Sequence, residues 1–371
     1  MDIANKILNF NKNKSKFLLD KKFLLKNKFL VYGLGSGFYT FKSYVLDKIK
    51  YKINYSIFDL AKQNHQNAIS VDKLKLISKK TLIIICVGKK YIRKVKIFLK
   101  KLGFFNFISP YNFYEYQMCY DKLQNNKFKL LFKSNSKKVN KIYKLLYDNF
   151  SKKIFLEYYQ ILYNKINIPI KTSPLSKIYS DIDIKLFSNK KKSYSILNVG
   201  SYDGDVILNL LKKKVKIKDL YCFEPNLQNY KKLLKNIHKN KNKISGKIFL
   251  YPAGCSDTNT FCRFNSNQKM ASRFTNDRKF LYSQIVKLDN FINFNKIDYV
   301  IADIEGFEKK FIDGYKSTIS KFKPNFIIAG YHYAFDLLDI ILKLYKLNNK
   351  YKFFIRNFSG HTSETIIYAT T

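Results

Sequence analysis

The chain has 371 residues, 46% of them hydrophobic, and a formal net charge of +44 at pH 7. This length suggests two or more domains, and the apolar content is enough to bury their cores, which excludes a wholly disordered chain. The charge is compatible with a polyanion or an anionic membrane surface as partner, but the sequence has no clusters of Arg that would bind phosphates bidentately. Because Lys far exceeds Arg, an AT-rich coding sequence is the alternative explanation.

Cysteine spacing and hydropathy favour a cytoplasmic protein without a transmembrane segment. The cysteines lack the spacing of metal ligands, and several fall in apolar strands, which indicates reduced, buried thiols; they are Cys86, Cys119, Cys222, Cys255 and Cys262. No apolar run approaches the ~18 residues of a membrane span, and the N-terminus lacks the hydrophobic region of a secretory signal. Peripheral contact with a membrane surface is compatible with the charge.

Residues 1–115 are predicted to form a small Rossmann-like α/β domain, because apolar strands alternate with helical patterns such as Tyr39–Ile49. The strands are expected at Phe29–Tyr32, Tyr55–Phe58, Thr81–Val87 and Phe107–Pro110. The first strand leads into the glycine turn Gly33–Gly37, and the second ends at Asp59. This combination is similar to a nucleotide site, but Phe38 replaces the last glycine of the fingerprint. A structural or substrate-positioning role is the alternative.

Residues 116–190 are rich in Lys and Tyr at helical spacing and predict a helical linker. After it, Ser195–Val199 is predicted to be a buried parallel strand that leads into a turn with Gly200 and Gly204. A helix and a second strand, Leu220–Phe223, follow. Glu224 then lies 20 residues after Gly204, where a βαβ nucleotide site places the acid that accepts hydrogen bonds from ribose hydroxyls.

The turn itself favours one class of nucleoside. Asp203 and Asp205 lie in it, and they would repel a pyrophosphate but not a cationic nucleoside without phosphates. The spacing also lacks the last glycine of a dinucleotide fingerprint. The turn therefore favours S-adenosylmethionine over NAD, and a purely structural βα turn is the alternative.

Polar side chains are predicted at several strand ends of this sheet, where open α/β sheets bind ligands. Small residues after the strand Lys247–Tyr251 would leave space for an adenine ring. Asp303 and Glu305 would face one way if the strand continued, with capping of the next helix as the alternative. His332 has the near-neutral pKa of a general base, with a packed loop histidine as the alternative. These last three residues could also bind a divalent cation, although the prediction is no metal.

Several motifs, in this order and spacing, resemble those of FkbM-type methyltransferases. They are NVGSYDGD (Asn198–Asp205), CFEP (Cys222–Pro225), LDN (Leu288–Asn290), ADIEGFE (Ala302–Glu308), GYHYAFDL (Gly330–Leu337) and ETIIYA (Glu364–Ala369). The resemblance implies a class I, S-adenosylmethionine-dependent methyltransferase fold over residues 191–371, with a seven-stranded sheet whose last strand is antiparallel. It also implies O-methylation of a hydroxyl on a sugar, glycan or related small metabolite.

The resemblance implies roles for individual residues. Those around the cofactor would be Asn198, Gly200, Asp203, Gly204, Glu224, Cys255, Ser256 and Asp257. Asp303, Glu305 and His332 would line the acceptor side as catalytic residues, with His332 as first candidate for the base and Asp303 as second. Ser272, Arg273 and Tyr331 would contact the substrate. Asn198 stands where many family members have Asp, which removes a charge near the methionine ammonium.

Two other functions are compatible with the sequence. One is an RNA methyltransferase that uses the basic surface, although nucleic acid is not the expected partner because no aromatic platform for single strands is evident. The other is a non-catalytic scaffold that binds a partner or a glycan precursor. The predicted function remains methyl transfer to a small-molecule or glycan hydroxyl.

Overall fold

The structure is a computed structural model that describes residues 2–8, 21–61, 65–66, 68–110, 125–164, 170–174, 178–179, 183–189, 192–265, 273–274, 282–291 and 296–371. The chain groups into two compact units. One comprises Met1–Asn9, Asn125–Tyr159 and Pro169–Thr371, and the other comprises Phe10–Gln124 and Gln160–Ile168. The domain borders expected at residues 115 and 190 stay a prediction.

The described strands of the Phe10–Gln124 unit form a parallel sheet in the order β2-β1-β3-β4. They are β1 Phe29–Tyr32, β2 Tyr55–Phe58, β3 Leu82–Ile85 and β4 Phe107–Ile108. The helices are Lys21–Lys26, Ser36–Tyr44, Val71–Leu76 and Lys89–Lys101. Because β1 and β3 are buried along their whole length, as central parallel strands are, their uninterrupted apolar runs made them visible in the sequence.

The first helix after β1 lies earlier than expected. It spans Ser36–Tyr44 rather than Tyr39–Ile49, and a short 3₁₀ turn at Leu46–Lys48 follows it. Val45 and Leu46 are both buried, so the apolar pattern continues beyond the end of the helix. Periodicity alone therefore placed this helix too late.

The larger sheet has the order β14-β15-β13-β12-β5-β6-β7. The last strand, β15, is antiparallel to both β13 and β14, and the other pairs are parallel. The strands are β5 Tyr194–Val199, β6 Ile217–Phe223, β7 Ile248–Tyr251, β12 Tyr299–Ala302, β13 Asn325–Ala329, β14 Lys352–Asn357 and β15 Thr365–Thr370. The predicted seven-stranded sheet with an antiparallel last strand is confirmed.

Helices connect and cover these strands. Those that the structure describes are Ile3–Leu8, Asn125–Ser134, Ser136–Leu145, Asn149–Asn164, Asp205–Lys212, Leu227–Lys239, Leu288–Phe291, Glu308–Gly314, Lys316–Phe322 and Asp336–Leu347. Asp205–Lys212 buries Ile207, Leu210 and Leu211, which have the spacing of one helix face. Among the described helices, none is both long and apolar enough to cross a membrane.

A second, smaller sheet has the order β10-β9-β11-β8. Its strands are β8 Ala253–Cys255, β9 Thr260–Asn265, β10 Arg273–Phe274 and β11 Tyr282–Val286. β9 and β10 pair in antiparallel fashion, and β9 also pairs in antiparallel fashion with β11. The residues expected at the tip of the third strand thus begin a separate sheet at β8.

Candidate active site

The glycine turn after β5 lies directly against the end of β12. Gly200 has φ +77°, and a Cβ atom on it would lie 2.0 Å from the carbonyl oxygen of Asp303. Only glycine allows both this backbone conformation and this approach. Gly204, with φ +88°, precedes the helix Asp205–Lys212, and a Cβ there would meet Leu233 at 3.0 Å. The fold thus brings two predicted parts of the site, the glycine turn and Asp303, together at one edge of the sheet.

Glu224, at the end of β6, connects that turn to the next strand. Its Oε2 accepts a hydrogen bond from the backbone N–H of Tyr202 (2.8 Å), and its Oε1 accepts one from the N–H of Asn226 (2.9 Å). The residue is 6% exposed. Burial raises the pKa of Glu224 to about 7, against the effect of the backbone donors. Because each carboxylate oxygen has two lone pairs, accepting capacity for further donors remains.

Two buried oxygen atoms near the turn have no hydrogen-bond partner among the described residues. They are Oδ1 of Asn198 and Oδ1 of Asp203. Nδ2 of Asn198 donates to the carbonyl of Ile301 (3.4 Å), which holds this amide between β5 and β12. Buried polar atoms in proteins are normally hydrogen-bonded, so these oxygens are available to accept hydrogen bonds from a ligand.

Asp205 has a local role in the structure. It begins the helix Asp205–Lys212, and its carboxylate accepts a hydrogen bond from the N–H of Val206 (2.8 Å). A negative charge in the first turn of a helix is stabilising. Of the two acids in the turn, Asp203 is therefore the one that offers a free acceptor to a ligand.

Cys255, Ser256 and Asp257 lie at and just after the end of β8. Cys255 is buried, and burial raises the pKa of its thiol well above the usual value. The Ser256 hydroxyl donates to Asp257 (2.9 Å). A Cβ atom on Gly314 would lie 1.9 Å from the Ser256 carbonyl oxygen, so the helix Glu308–Gly314 packs directly on this loop. That helix begins next to the cluster of Asp303, Glu305 and His332, described next.

Asp303, immediately after β12, accepts hydrogen bonds from two tyrosines. The hydroxyl of Tyr331 donates to its Oδ2 (3.1 Å), and so does the hydroxyl of Tyr179. Burial, followed by the charge of Asp303, raises the pKa of both tyrosines well above the usual value, which keeps them protonated as donors. Their hydrogen bonds occupy Oδ2 and leave Oδ1 facing His332.

Tyr179 was not found by sequence analysis. It lies in an irregular segment before the motifs, and nothing distinguishes it from the other tyrosines of the chain. Nearby, Asp183 is held by Arg356 of β14, whose guanidinium donates to both carboxylate oxygens (3.0 and 2.7 Å). Arg356 is 1% exposed, and such bidentate pairs are geometrically specific. The fold, rather than a local motif, brings Tyr179 to Asp303.

His332 lies among three carboxylates. Its Nδ1 is 3.0 Å from Oε1 of Glu308, and its Nε2 is 3.3 Å from Oδ1 of Asp303 and 3.6 Å from Oε2 of Glu305. Burial alone would lower the pKa of His332, but these carboxylates outweigh it and raise the pKa to about 10. The ring is therefore protonated at neutral pH in the ligand-free chain.

Glu305 and Asp303 do not cap the following helix. The capping position of Glu308–Gly314 is Phe307, and no side chain caps it. Glu305 has φ +56°, so the extended conformation of β12 ends before it. The two carboxylates nevertheless meet at Nε2 of His332, through a turn instead of a continued strand. Glu308, which sequence analysis did not select, completes the cluster although it stands within the ADIEGFE motif.

The three residues expected to contact the substrate have different outcomes. Tyr331 is in the site, with its ring 4.4 Å from that of His332. Ser272 lies outside the described residues. Arg273 belongs to β10, but its side chain is outside the described part of the structure.

The strand order, the glycine turn after the first strand of the larger sheet and the acid after the second define a class I methyltransferase fold. Residues 198–353 match the family model described as "Methyltransferase FkbM domain". The resemblance to FkbM methyltransferases is thereby confirmed for this part of the chain. No curated protein matches the chain.

A solved structure shows the same fold over nearly the whole chain. The crystal structure of Methyltransferase FkbM from Methylobacillus flagellatus KT is similar with a TM-score of 0.64 and 14% sequence identity, covering 93% of this chain and 90% of that chain. A precorrin-6y C5,15-methyltransferase from Geobacter metallireducens GS-15 also matches, with 12% identity over 50% of this chain and 84% of its own. Its TM-score of 0.28 is too low to indicate a shared fold.

Proposed function

We propose that this chain is an S-adenosylmethionine-dependent O-methyltransferase that acts on a hydroxyl of a sugar, glycan or related small molecule. The observation that carries the proposal is the contact between the Gly200 turn and Asp303, because it puts a nucleoside-type turn and an acidic cluster at one sheet edge. The family match over residues 198–353 supports methyl transfer as the reaction.

The residues of the turn fit the proposed cofactor. The unpartnered Oδ1 atoms of Asp203 and Asn198 would accept hydrogen bonds from the methionine ammonium. Glu224 would accept hydrogen bonds from the ribose hydroxyls. The adenine ring would lie against Cys255, Ser256 and Asp257. When bound, the cofactor supplies an electrophilic methyl group. The task of the protein is to align the acceptor oxygen with it, exclude water and receive a proton.

Asp303, rather than His332, is the residue that would accept the proton of the acceptor hydroxyl. Both ring nitrogens of His332 face carboxylates, and its side chain is only 9% exposed. Asp303 and Glu305 are more accessible, with side chains 27% and 28% exposed. The hydroxyls of Tyr179 and Tyr331 hold Asp303 in place from the other side. His332 in this arrangement orients the carboxylates.

The acids of the site disfavour the nucleic-acid alternative at this position. Asp203, Asp303, Glu305 and Glu308 put negative charge where a phosphate backbone would have to approach, and like charges repel. The scaffold alternative leaves the unpartnered buried oxygens of Asn198 and Asp203 without a role. A small, uncharged or cationic acceptor suits the site better.

Calorimetric titration of the full chain with S-adenosylhomocysteine, with NAD in a parallel titration, tests the proposal. We expect micromolar binding of S-adenosylhomocysteine at one site per chain and no binding of NAD. Binding of neither would contradict the proposal and favour the scaffold function. Binding of NAD alone would also contradict the proposal, and it would indicate a nucleotide site at the glycine turn Gly33–Gly37.

A further inference from the structure

Three side chains on the acceptor side point their ligand atoms at one another. One atom each from Asp303, Glu305 and His332 lies within 4.8 Å of the others. Nε2 of His332 is 3.3 Å from Oδ1 of Asp303 and 3.6 Å from Oε2 of Glu305. Adjacent ligands of an octahedral cation at about 2.1 Å are about 3.0 Å apart. The spacing is therefore that of neighbouring ligands around one ion.

A second observation, independent of the acid cluster, points to a ligand. Nε2 of His332 and Oδ1 of Asp303 are buried atoms without a hydrogen bond among the described residues, although they face each other. The His332 side chain is 9% exposed. The two atoms attract each other as an ion pair when the ring is protonated, but they keep hydrogen-bonding capacity that a ligand bound between them would use.

The surroundings of the two atoms are those of metal ligands. A ligating histidine usually donates its other ring N–H to a carboxylate, which fixes the ring and directs the free nitrogen at the metal. Glu308 is in this position, 3.0 Å from Nδ1 of His332 and 1% exposed. It is itself anchored, because the N–H of Ile304 donates to its Oε1 (2.9 Å). The tyrosine hydroxyls on Oδ2 of Asp303 orient Oδ1 in the same manner.

We propose that Asp303, Glu305 and His332 form a binding site for a divalent cation such as Mn²⁺. One nitrogen and two carboxylate oxygens suit Mn²⁺ better than Mg²⁺ or Ca²⁺, which prefer oxygen alone. The partial exposure of the two carboxylates leaves coordination positions open towards the acceptor. The catalytic meaning rests on the proposed function: the ion would lower the pKa of an acceptor hydroxyl bound in an open position, and the released proton would pass to a carboxylate oxygen of Asp303 or Glu305 that does not bind the ion.

A neighbouring group of Glu308, His332 and Asp336 has similar spacing but is less suited to an ion. Asp336 accepts a hydrogen bond from the N–H of Tyr333 (2.6 Å), and its other oxygen is 3.1 Å from Nζ of Lys309. Lys309 supplies the positive charge there. On the Nε2 side of His332, by contrast, the ion pairs of the described residues join no lysine or arginine to Asp303.

The test measures Mn²⁺ alone, without donor or acceptor. The full chain is treated with a chelator, desalted and titrated with MnCl₂, and free Mn²⁺ is followed by its six-line electron paramagnetic resonance signal. We expect loss of the free signal corresponding to one ion per chain. No loss of signal in the wild-type chain would overturn the proposal.

Variants locate the ion. We expect Asp303→Asn and Glu305→Gln each to weaken Mn²⁺ binding at least about tenfold, and Glu308→Gln, which removes the partner of the ring, to weaken it about 10–100-fold. The control is Asp313→Asn, because Asp313 is a surface carboxylate paired with Lys343 (2.7 Å). This variant should bind Mn²⁺ as the wild type does. Undiminished binding in the Asp303→Asn/Glu305→Gln double variant would overturn the site.

The two proposals can fail separately. S-adenosylhomocysteine binding without Mn²⁺ binding would overturn the cation site and leave the methyltransferase proposal intact. Mn²⁺ binding without S-adenosylhomocysteine binding would do the reverse, since the cation site is measured without donor. Circular dichroism of each variant establishes that lost binding is not lost folding.

Discussion

The chain contains two glycine turns of similar sequence pattern, and they differ in what surrounds them. In the first, the carboxylate of Asp59 accepts hydrogen bonds from the N–H groups of Leu34 (2.6 Å) and Ala61 (2.9 Å). In the second, Glu224 accepts hydrogen bonds from Tyr202 and Asn226 in the same manner. Each acid thus fastens its turn to the neighbouring strand.

The difference lies at the end of the next strand. A Cβ atom on Gly37 would lie 2.7 Å from the carbonyl oxygen of Cys86, where β3 continues into Cys86 and Val87 without polar side chains. Gly200 makes the corresponding approach to Asp303 and its carboxylate cluster. Within the described part of 21–110, no buried side-chain oxygen or nitrogen lacks a hydrogen bond, whereas Asn198, Asp203 and Asp303 each have one. A glycine turn and an acid are thus insufficient; unsatisfied buried polar atoms distinguish the site.

The strongest test of this comparison replaces the carboxylate at the strand end. We expect Asp303→Asn to lower methyl transfer about 10²–10⁴-fold, because the amide cannot accept the proton, while S-adenosylhomocysteine binding is retained. Labelled methyl transfer from S-adenosylmethionine to a panel of hydroxylated sugars measures it. The control Asp59→Asn should keep the wild-type rate. Equal loss in both variants would show that the two turns are functionally alike.

The second test concerns the close approach at Gly200. We expect Gly200→Ala to lower the free energy of unfolding by about 3 kcal/mol, since its Cβ atom meets a backbone carbonyl and its φ is positive. Urea denaturation followed by circular dichroism measures this change. Wild-type stability would mean that the turn can move away from Asp303, which removes the contact that carries the proposed function.

The third test compares the two acids directly. Glu224→Ala should weaken S-adenosylhomocysteine binding by about 1–3 kcal/mol, because the ribose hydroxyls lose their acceptor. Asp59→Ala is the matched control and should bind as the wild type does. Calorimetry gives both affinities. Unchanged binding by Glu224→Ala would exclude Glu224 as the ribose partner.

The fourth test uses pH. Since the pKa of Glu224 is about 7 in the folded chain, lowering the pH from 8 to 6 should weaken S-adenosylhomocysteine binding about tenfold as the carboxylate takes up a proton. The effect of pH on folding stability has the opposite sign. The raised pKa of Glu224 stabilises the folded state at low pH, and this contribution disappears as the pH rises from 4.5 to about 7. In Glu224→Gln the pH dependence of binding should be lost; if it persists, another group causes it.

The smallest effect is expected in the first turn. A Cβ atom on Gly35 would meet nothing within 4 Å, and its φ is −91°. Gly35→Ala should therefore change the free energy of unfolding by no more than about 0.5 kcal/mol, with unchanged S-adenosylhomocysteine binding. A large loss in either measurement would indicate that this turn also receives a ligand.

The sequence by itself determined the strands and the order of the motifs. Central parallel strands such as β5, β6 and β12 are continuous apolar runs, and Gly200, Glu224 and Asp303 follow them at the strand ends, so these strands and residues could be predicted. The seven-stranded sheet with its antiparallel last strand was implied by the resemblance to FkbM-type methyltransferases. Helix ends were less certain, as the shifted helix Ser36–Tyr44 shows, because burial continues beyond hydrogen-bonded turns.

The tertiary structure alone decided which side chains surround His332 and Asp303. His332 had the ordinary pKa of a possible base in the sequence, but three carboxylates around it make it a cation, and the pKa of a group depends on neighbours that are distant in the chain. Tyr179 reaches Asp303 across 124 residues without any local signal. Glu308 stood in a motif, yet only the fold showed that it directs His332 towards Asp303 and Glu305.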